Sequence, residues 1–287
     1  MVRPRDRSGR SAALLVAAVG CALVLALTGC GGSSATSGAQ AREGSRSGGS
    51  PAAVSPAAGS TYTLMQWNVC LSGLSACYGK VAYPAVVQEA VARIRQAQPD
   101  AVTFNEACRR DAERIARRTG YHLRFTRVIY PGVPLHCVRP GGRGLFGDAV
   151  LTKAAIERTE KRDFQAQEWI ERRRWLCVTT RVRVDVCTSH LNTRNANEVA
   201  GNDAQCAELG ALLARRAVAR SVIFGGDVNR HGSCAPDGFW TRTDRAAHQA
   251  AGLQHVYGSR ALRSPSAEVV PARHSDHDVL LVRARLR

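Results

Sequence analysis

The chain has 287 residues, of which 45% are apolar, and it carries a formal net charge of +17 at neutral pH. Residues 61–287 are long enough to bury a sizeable core in one domain, and they show no repeat at solenoid periods, which excludes a repeat architecture. The positive charge favours a polyanionic partner, but it fits adhesion to an anionic cell envelope equally well.

Residues 1–30 have the features of a secretory signal. A charged segment, 1–10, precedes an apolar segment, 11–27, and the letters LTGC close the signal at Cys30. Small residues before a cysteine resemble a bacterial lipobox, in which that cysteine is lipidated. A transmembrane anchor is the alternative, although the apolar segment is short for a span. We therefore predict export, with an extracellular domain that is secreted or attached to the membrane through Cys30.

The next segment, residues 31–60, is rich in small and polar residues and contains no aromatic residue. Such a segment cannot bury enough surface to offset the entropy that it would lose on ordering. We predict a flexible linker, followed by one domain that comprises residues 61–287.

Strands and helices alternate along this domain. Alternating apolar residues predict strands, and apolar residues spaced by three and four predict helices. Two strands joined near Arg183 look like an antiparallel hairpin, which favours a mixed α/β sandwich over a purely parallel sheet. The predicted order is a strand at 61–68, a helix at 83–98, a strand at 99–106, a helix at 109–122 ended by Gly120, a strand at 123–130, a glycine-rich loop that leads into a strand at 142–153, the hairpin at 173–193, a helix at 197–219, and strands at 221–227 and 274–287.

Eight cysteines remain in the domain once Cys21 and Cys30 of the signal are set aside. An even number in an exported chain indicates disulfides, and the lack of a CxxC pair argues against a zinc site. Many connectivities are open to eight cysteines. Pairing of consecutive cysteines is our hypothesis among them, which gives Cys70–Cys77, Cys108–Cys137, Cys177–Cys187 and Cys206–Cys234.

Polar side chains stand next to the predicted strands, at one end of each. Carboxylates with an amide suit a hard cation such as Mg²⁺, and histidines with aspartate and asparagine suit proton transfer and charge stabilisation around a phosphate. Taken singly, each residue has a simpler explanation as a turn former, a cap, a solvated carboxylate or a core histidine. Because strand ends of one sheet meet at one edge, we expect the following residues to converge: Asn68, Glu106, His190, Asp227, Asn229, Asp276 and His277.

Six motifs in a fixed order resemble those of the endonuclease/exonuclease/phosphatase superfamily. The resemblance covers residues 61–287 and implies the DNase I-like fold, an α+β four-layer sandwich in which helices flank two mixed β-sheets. The motifs are MQWNV with Asn68, TFNEAC with Glu106, GDAVLT with Asp148, TSHLNT with His190, GGDVN with Asp227 and Asn229, and HSDHD with Asp276 and His277.

The resemblance implies a metal site. Glu106, with Asn68 and Asp276 nearby, would hold a divalent cation on a phosphate oxygen, as a Lewis acid. Mg²⁺ is the expected ion, with Mn²⁺ and Ca²⁺ as alternatives. The chain departs from the family at Asn105, where a glutamine is usual, and at Asp148, where an asparagine is usual.

The catalytic roles follow from the same resemblance. His277 would activate water or stabilise the transition state, and His190 with Asn229 would donate hydrogen bonds to phosphate oxygens. Asp227 would orient the nucleophile or assist the leaving group. The two glycines before Asp227 would let the backbone turn tightly beside the phosphate.

One departure concerns the support of His277. Many relatives have an aspartate that orients this histidine where the chain has Gln254, in the stretch GLQHVYGSRAL. A glutamine accepts a hydrogen bond but does not stabilise an imidazolium as a carboxylate does. We expect either that Asp244 or Asp278 substitutes or that His277 is less basic, and that Gln254→Asp raises activity or moves its pH profile.

These features predict a metal-dependent phosphoric-ester hydrolase, foremost a nuclease that acts on DNA or RNA as a monomer. The arginines at 172–174 and 139–143 are candidate phosphate contacts, although a solvated basic face explains them equally well. One alternative is a sphingomyelinase-like phospholipase C or an inositol-phosphate phosphatase of the same fold. The other is a non-catalytic surface binding module, which the departure at Gln254 leaves open.

Overall fold

The computed structural model describes residues 59–74, 77, 79, 81–167 and 170–287. The predicted signal with Cys30 and nearly all of the predicted linker lie outside these residues. Gly59 donates a backbone hydrogen bond to Leu286 O (2.8 Å), and Leu286 N donates to Ser60 O (2.9 Å). Residues 59 and 60 are thus hydrogen-bonded to the carboxyl-terminal end of the domain. No helix in the described part of the chain is both long and apolar enough to cross a bilayer.

Strands dominate the described domain, and three helices connect some of them. In chain order the elements are β1 (Thr61–Asn68), α1 (Ala85–Ala97), β2 (Ala101–Cys108), α2 (Arg109–Thr119), β3 (His122–Arg127), β4 (Phe146–Thr152), β5 (Ile156–Asp163), β6 (Arg174–Thr180), β7 (Val184–Ser189), α3 (Val199–Ala217), β8 (Ser221–Asp227), β9 (Trp240–Thr243), β10 (Gln254–Gly258), β11 (Leu262–Val270) and β12 (Val279–Leu286).

The strands form two six-stranded sheets, with the orders β11-β12-β1-β2-β4-β3 and β5-β6-β7-β8-β10-β9. Each sheet is mixed, because β1 with β2 and β7 with β8 are parallel pairs whereas the other neighbours are antiparallel. The predicted hairpin is present as β6 and β7, and Arg183 takes a left-handed conformation in its turn (φ 60°). Gly120 ends α2 with its N–H donating to Ala116 O, as predicted.

Alternation of side chains explains why two sheets and three helices stack in four layers. In β1, Leu64 points between the sheets, whereas Met65 and Trp67 pack under α1 and α2. In β8, Ile223 likewise points between the sheets, and Phe224 packs under α3. Full burial of each such side chain stabilises the fold by about 1.5–3 kcal/mol. The predicted four-layer sandwich of two mixed sheets is confirmed.

Gly225 and Gly226 lie within β8 and do not form the tight turn that we expected. A Cβ atom on Gly225 would lie 2.4 Å from Thr103 Oγ1 of the facing sheet. A Cβ atom on Gly226 would lie 2.3 Å from Ser189 O of the neighbouring strand. The glycines therefore permit close packing around β8, which brings the ends of β2, β7 and β8 together.

Four disulfides join consecutive cysteines, which confirms the predicted pairing. The bridges are Cys70–Cys77, Cys108–Cys137, Cys177–Cys187 and Cys206–Cys234. They are consistent with an oxidising environment outside the cytoplasm.

Candidate active site at the strand ends

The residues selected at the strand ends meet at one edge of the two sheets. Asn68 closes β1, Glu106 lies near the end of β2, and Asp227 closes β8. His190 directly follows β7, and His277 precedes β12. The parallel pairs place the carboxyl ends of β1 and β2, and of β7 and β8, side by side, so both sheets contribute to one cluster.

Asp227 is at the centre of the cluster. Its Oδ2 accepts a hydrogen bond from Asn68 Nδ2 (2.9 Å) and lies 3.6 Å from Nε2 of both His190 and His277. Its Oδ1 accepts the backbone N–H of Asn229 (3.0 Å). Burial opposes ionisation of Asp227, but the nearby imidazole of His277 and the hydrogen bonds from Asn68 and Asn229 outweigh it and lower its pKa below the ordinary value. Asp227 is therefore an ionised carboxylate between two histidines.

Glu106 occupies a bulge in β2. The pairing with β4 slips between Phe104 and Ala107, and Glu106 has a left-handed backbone (φ 56°). Non-glycine residues rarely adopt this conformation, so the bulge redirects the side chain at the cost of local strain. Asn68 Nδ2 donates to Glu106 Oε1 (3.0 Å). Burial raises the pKa of Glu106 to about 7, and this hydrogen bond only partly opposes the shift.

His190 is held in one tautomer by Asn229, which itself has a left-handed backbone (φ 52°). Asn229 Nδ2 donates to Leu191 O (2.9 Å) and contacts His190 Nε2 (2.9 Å), so both of its amide hydrogens are used. Nε2 then accepts, and the imidazole proton resides on Nδ1, which lies 3.8 Å from Glu106 Oε1. Burial, followed by the charge of Arg173, lowers the pKa of His190 to about 3 and keeps the ring neutral. In this geometry Asn229 positions His190 rather than donating to substrate.

A cleft of about 440 Å³ opens beside the cluster and would admit a phosphate ester. Glu106, His190 and Asp276 line this cleft, so the two carboxylates among the predicted metal ligands lie on the same surface. Arg173 also lines the cleft, where its guanidinium pairs with Glu171 at 3.1 Å. Of the predicted arginine runs, this residue is the one that reaches the cleft. In the sequence, the only signal for Arg173 was its position within the run of arginines at 172–174.

Arg143, by contrast, has a structural role. It is buried, pairs with Asp111 at 3.3 Å and donates to Val138 O at 2.7 Å. Its guanidinium also stacks over the ring of Tyr83, with 4.5 Å between its carbon and the ring centroid. Our expectation of a phosphate contact within 139–143 is therefore wrong for Arg143, because its donors are used inside the fold.

The donor atoms beside the cleft fit a hard divalent cation. Glu106 and Asp276 offer carboxylate oxygens, and a cation would stabilise the ionised form of Glu106 that burial disfavours. Within the described residues, one tight group of potential ligands joins Glu106 with Cys70 and Cys77, but those two sulfurs are bonded to each other. The oxygen of Asn68 accepts Cys70 N–H (3.0 Å) and its amide nitrogen faces Glu106, so Asn68 orients the carboxylate.

Gln254 does not support His277 as we expected. Its Oε1 accepts the backbone N–H of Asn68 (2.7 Å), and its Nε2 donates to Asp244 Oδ2 (3.0 Å) and Asp278 O (2.7 Å). Neither Asp244 nor Asp278 replaces it, because no described residue forms a hydrogen bond with His277 Nδ1. Gln254 instead connects the second sheet to the end of β1 and fixes the position of Asn68.

We accordingly reverse the expectation for Gln254→Asp. A carboxylate at this position would face Asp244, a buried acid whose pKa is already raised by burial. It would also leave Asp278 O without its donor. We expect a loss of stability of about 2–4 kcal/mol and lower activity. Urea unfolding should be compared with that of Gln249→Asp, a change at a less buried glutamine. Wild-type stability with higher activity would restore the original interpretation.

Asp148 stands where related proteins usually have asparagine, and it is buried. Its Oδ1 accepts from Asn105 Nδ2 (3.0 Å), and Asn105 Oδ1 in turn accepts Asp227 N–H (2.7 Å). Burial raises the pKa of Asp148 to about 7, despite the hydrogen bond from Asn105. The side chain therefore supports the backbone of Asp227 through Asn105, while burial favours its neutral form.

The raised pKa makes the stability of the protein depend on pH. Asp148 stabilises the fold fully below its unfolded pKa of about 4, and this contribution is lost as the pH rises through its folded pKa. We expect Asp148→Asn to escape that loss, with a gain over wild type that grows by on the order of 2 kcal/mol between pH 4 and pH 8. Chemical unfolding at both pH values measures the gain. Asp237→Asn, at an exposed acid, is the control, and a gain independent of pH would contradict the assignment.

Comparisons with known proteins agree with this arrangement. The model described as the Endonuclease/Exonuclease/phosphatase family matches residues 65–277. The fold is similar to an endonuclease/exonuclease/phosphatase protein from Beutenbergia cavernae (TM-score 0.59, 18% identity, 79% of this chain and 72% of that one). It is also similar to the human Nocturnin catalytic domain with bound sulfate anion (0.61, 16%, 79% and 94%) and to D. rerio TDP2 complexed with single-strand DNA product (0.53, 15%, 79% and 99%). No curated protein sequence matches the chain significantly.

Proposed function

The chain belongs to the endonuclease/exonuclease/phosphatase family, and we propose that it is an exported, divalent-metal-dependent phosphodiesterase that hydrolyses nucleic acid. The observation that carries the proposal is the placement of Asp227. Its carboxylate lies 3.6 Å from an imidazole nitrogen of both His190 and His277, at the edge where Glu106 lies. A binding module would not require an ionised carboxylate between two histidines beside a second, raised-pKa carboxylate.

Each residue of the site has its own role in the hydrolysis of a phosphodiester bound in the cleft. Asp227, already ionised, accepts the proton of the attacking water or orients it through His277. His190, neutral and protonated on Nδ1, donates to a non-bridging oxygen, and Arg173, which is paired with Glu171, is a cation in the cleft where the transition state accumulates negative charge. Glu106 with Asp276 would hold Mg²⁺, which supplies Lewis-acid polarisation of the phosphate when bound.

Export and anchoring belong to the same proposal. The four disulfides suit an oxidising compartment, and the net positive charge suits a polyanionic substrate outside the cell. We propose that lipidation at Cys30 tethers a monomeric domain to the membrane and that residues 31–58 act as the tether.

One experiment separates the nuclease from its alternatives. The purified protein is incubated with plasmid DNA, with RNA and with sphingomyelin vesicles, each in Mg²⁺ or in EDTA. Metal-dependent cleavage of DNA or RNA supports the proposal. Turnover of sphingomyelin alone would replace it with a phospholipase of the same fold. Retention of DNA without any turnover would indicate a binding module.

A further inference from the structure

A groove next to the cleft collects positive charge. Its five cationic side chains, here called the basic groove, come from α2, β3, β5 and β6: Arg109, Arg124, Arg127, Lys161 and Arg174. One carboxylate, Glu113, lines it as well. Its volume of about 290 Å³ is smaller than that of the catalytic cleft.

Much of this charge is uncompensated. Arg109 pairs with Glu113 at 3.0 Å, and Arg174 pairs with Asp163 at 2.5 Å. Within the described residues, no ion pair joins Arg124, Arg127 or Lys161 to a carboxylate. Partial burial, followed by the charges of Arg174, Arg127, Arg109 and Arg124, lowers the pKa of Lys161. The cations thus repel one another, and anions placed among them would relieve that repulsion.

The basic groove adjoins the catalytic cleft directly. Arg173 lines the cleft and Arg174 lines the groove, while on β4 Phe146 lines the cleft and the preceding Leu145 lines the groove. Two pairs of consecutive residues thus divide their side chains between the cleft and the groove, so the two surfaces are neighbours. A nucleic-acid strand that is bound in the cleft would extend toward the groove.

The groove also has an apolar component. Phe125 and Leu123, which are partly buried and packed on the core under α1 and α2, line it between the cations. Grooves for single-stranded nucleic acid combine cations along the backbone with apolar or aromatic faces for the bases. A lipid surface would instead need exposed apolar side chains. Of the described residues, the large exposed ones are Val133, Ile170 and Val218, and none of them lines the groove.

We propose that the basic groove binds the backbone phosphates of a single nucleic-acid strand next to the phosphodiester held in the catalytic cleft. That this strand is the substrate of the cleft rests on the proposed function. Binding of the strand by the five side chains of the basic groove does not depend on catalysis and is tested without turnover.

The test measures binding of a fluorescently labelled single-stranded dodecanucleotide by anisotropy in EDTA, where metal-dependent cleavage cannot occur. The variant Arg127→Gln/Lys161→Gln removes two exposed charges of the groove. Arg263→Gln/Arg285→Gln removes two exposed charges on β11 and β12, at the opposite edge of the same sheet from β3. Thermal unfolding of both variants confirms that each is folded.

We expect the groove variant to bind about tenfold more weakly at low salt and the control to bind like wild type. The slope of log affinity against log salt should fall by about 1.4 in the groove variant, since each phosphate contact on a single strand contributes about 0.7. Equal affinity in the two variants would overturn the proposal. A second binding measurement uses phosphatidylglycerol vesicles. A groove variant that binds the vesicles more weakly but the oligonucleotide like wild type would also overturn the proposal, because it would assign the groove to a membrane surface. Cleavage of the same oligonucleotide in Mg²⁺ is scored separately and tests the proposed function alone.

Discussion

Replacing Asp227 with asparagine is expected to reduce phosphodiester hydrolysis by about 10³- to 10⁴-fold while the protein stays folded. Asparagine has nearly the same shape, so the hydrogen bond from Asn229 N–H to Oδ1 survives. The charge that faces Nε2 of His190 and of His277 is lost, however, and with it the acceptor for a proton. Because the residues of such a site act together, loss of one removes most of the acceleration.

Steady-state kinetics on an oligonucleotide should show this loss in kcat rather than in KM, because an uncharged side chain still permits substrate binding. Asp237→Asn, at an exposed aspartate, is the matched control and should keep wild-type rates. A variant at Asp227 that retains a tenth or more of the activity would show that the catalytic centre lies elsewhere.

The second large effect is expected at Glu106. We predict that Glu106→Gln lowers metal-dependent hydrolysis by about 10²- to 10⁴-fold and abolishes the rise in melting temperature on addition of Mg²⁺. The glutamine amide has nearly the same shape as the glutamate side chain and leaves its neighbours in place, but it cannot supply a charged oxygen to the cation. Glu268→Gln, at an exposed glutamate, should leave both the rate and the thermal shift unchanged.

The pKa of Glu106 adds a pH dependence with a definite sign. Because burial raises this pKa to about 7, the carboxyl is protonated below that pH in the metal-free protein, and a cation must displace the proton. The apparent affinity for Mg²⁺ is therefore expected to fall by about tenfold for each pH unit below 7. Titration calorimetry at pH 6 and pH 7.5 measures this dependence. Equal affinities would mean that Glu106 does not bind the cation.

The sequence predicts the strands that are rich in apolar residues and buried on both faces. β1 and β8 are strands of this kind and end in Asn68 and Asp227, so both the strand and its terminal polar residue could be located. β5 escaped prediction because IERTEKRD is polar and nearly all of it is exposed at a sheet edge. An edge strand of this kind is fixed by its partner β6 rather than by its own pattern.

The hydrogen bonds that hold the site residues in place could not be predicted from local sequence patterns. Gln254 is separated from Asn68 by 186 positions, and its contact with that backbone exists only once the two sheets pack. Asn105 bridges in the same way from β2 to the backbone of Asp227. The resemblance to the family selected the residues of the candidate site, but it placed Gln254 beside His277, with which it forms no hydrogen bond. Hydrogen-bond partners depend on the packing of side chains in three dimensions, which local sequence patterns do not give.

The connectivity of the disulfides has a consequence for how the protein matures. The eight cysteines of the domain form four bridges between consecutive cysteines, over separations of 7, 29, 10 and 28 residues, and no two bridges interleave. In a chain that is exported amino end first, as we propose, both cysteines of each bridge emerge before either cysteine of the next. We therefore expect that an oxidant without isomerase activity suffices to produce the native set of bridges, since the first free partner that each cysteine meets is its native one.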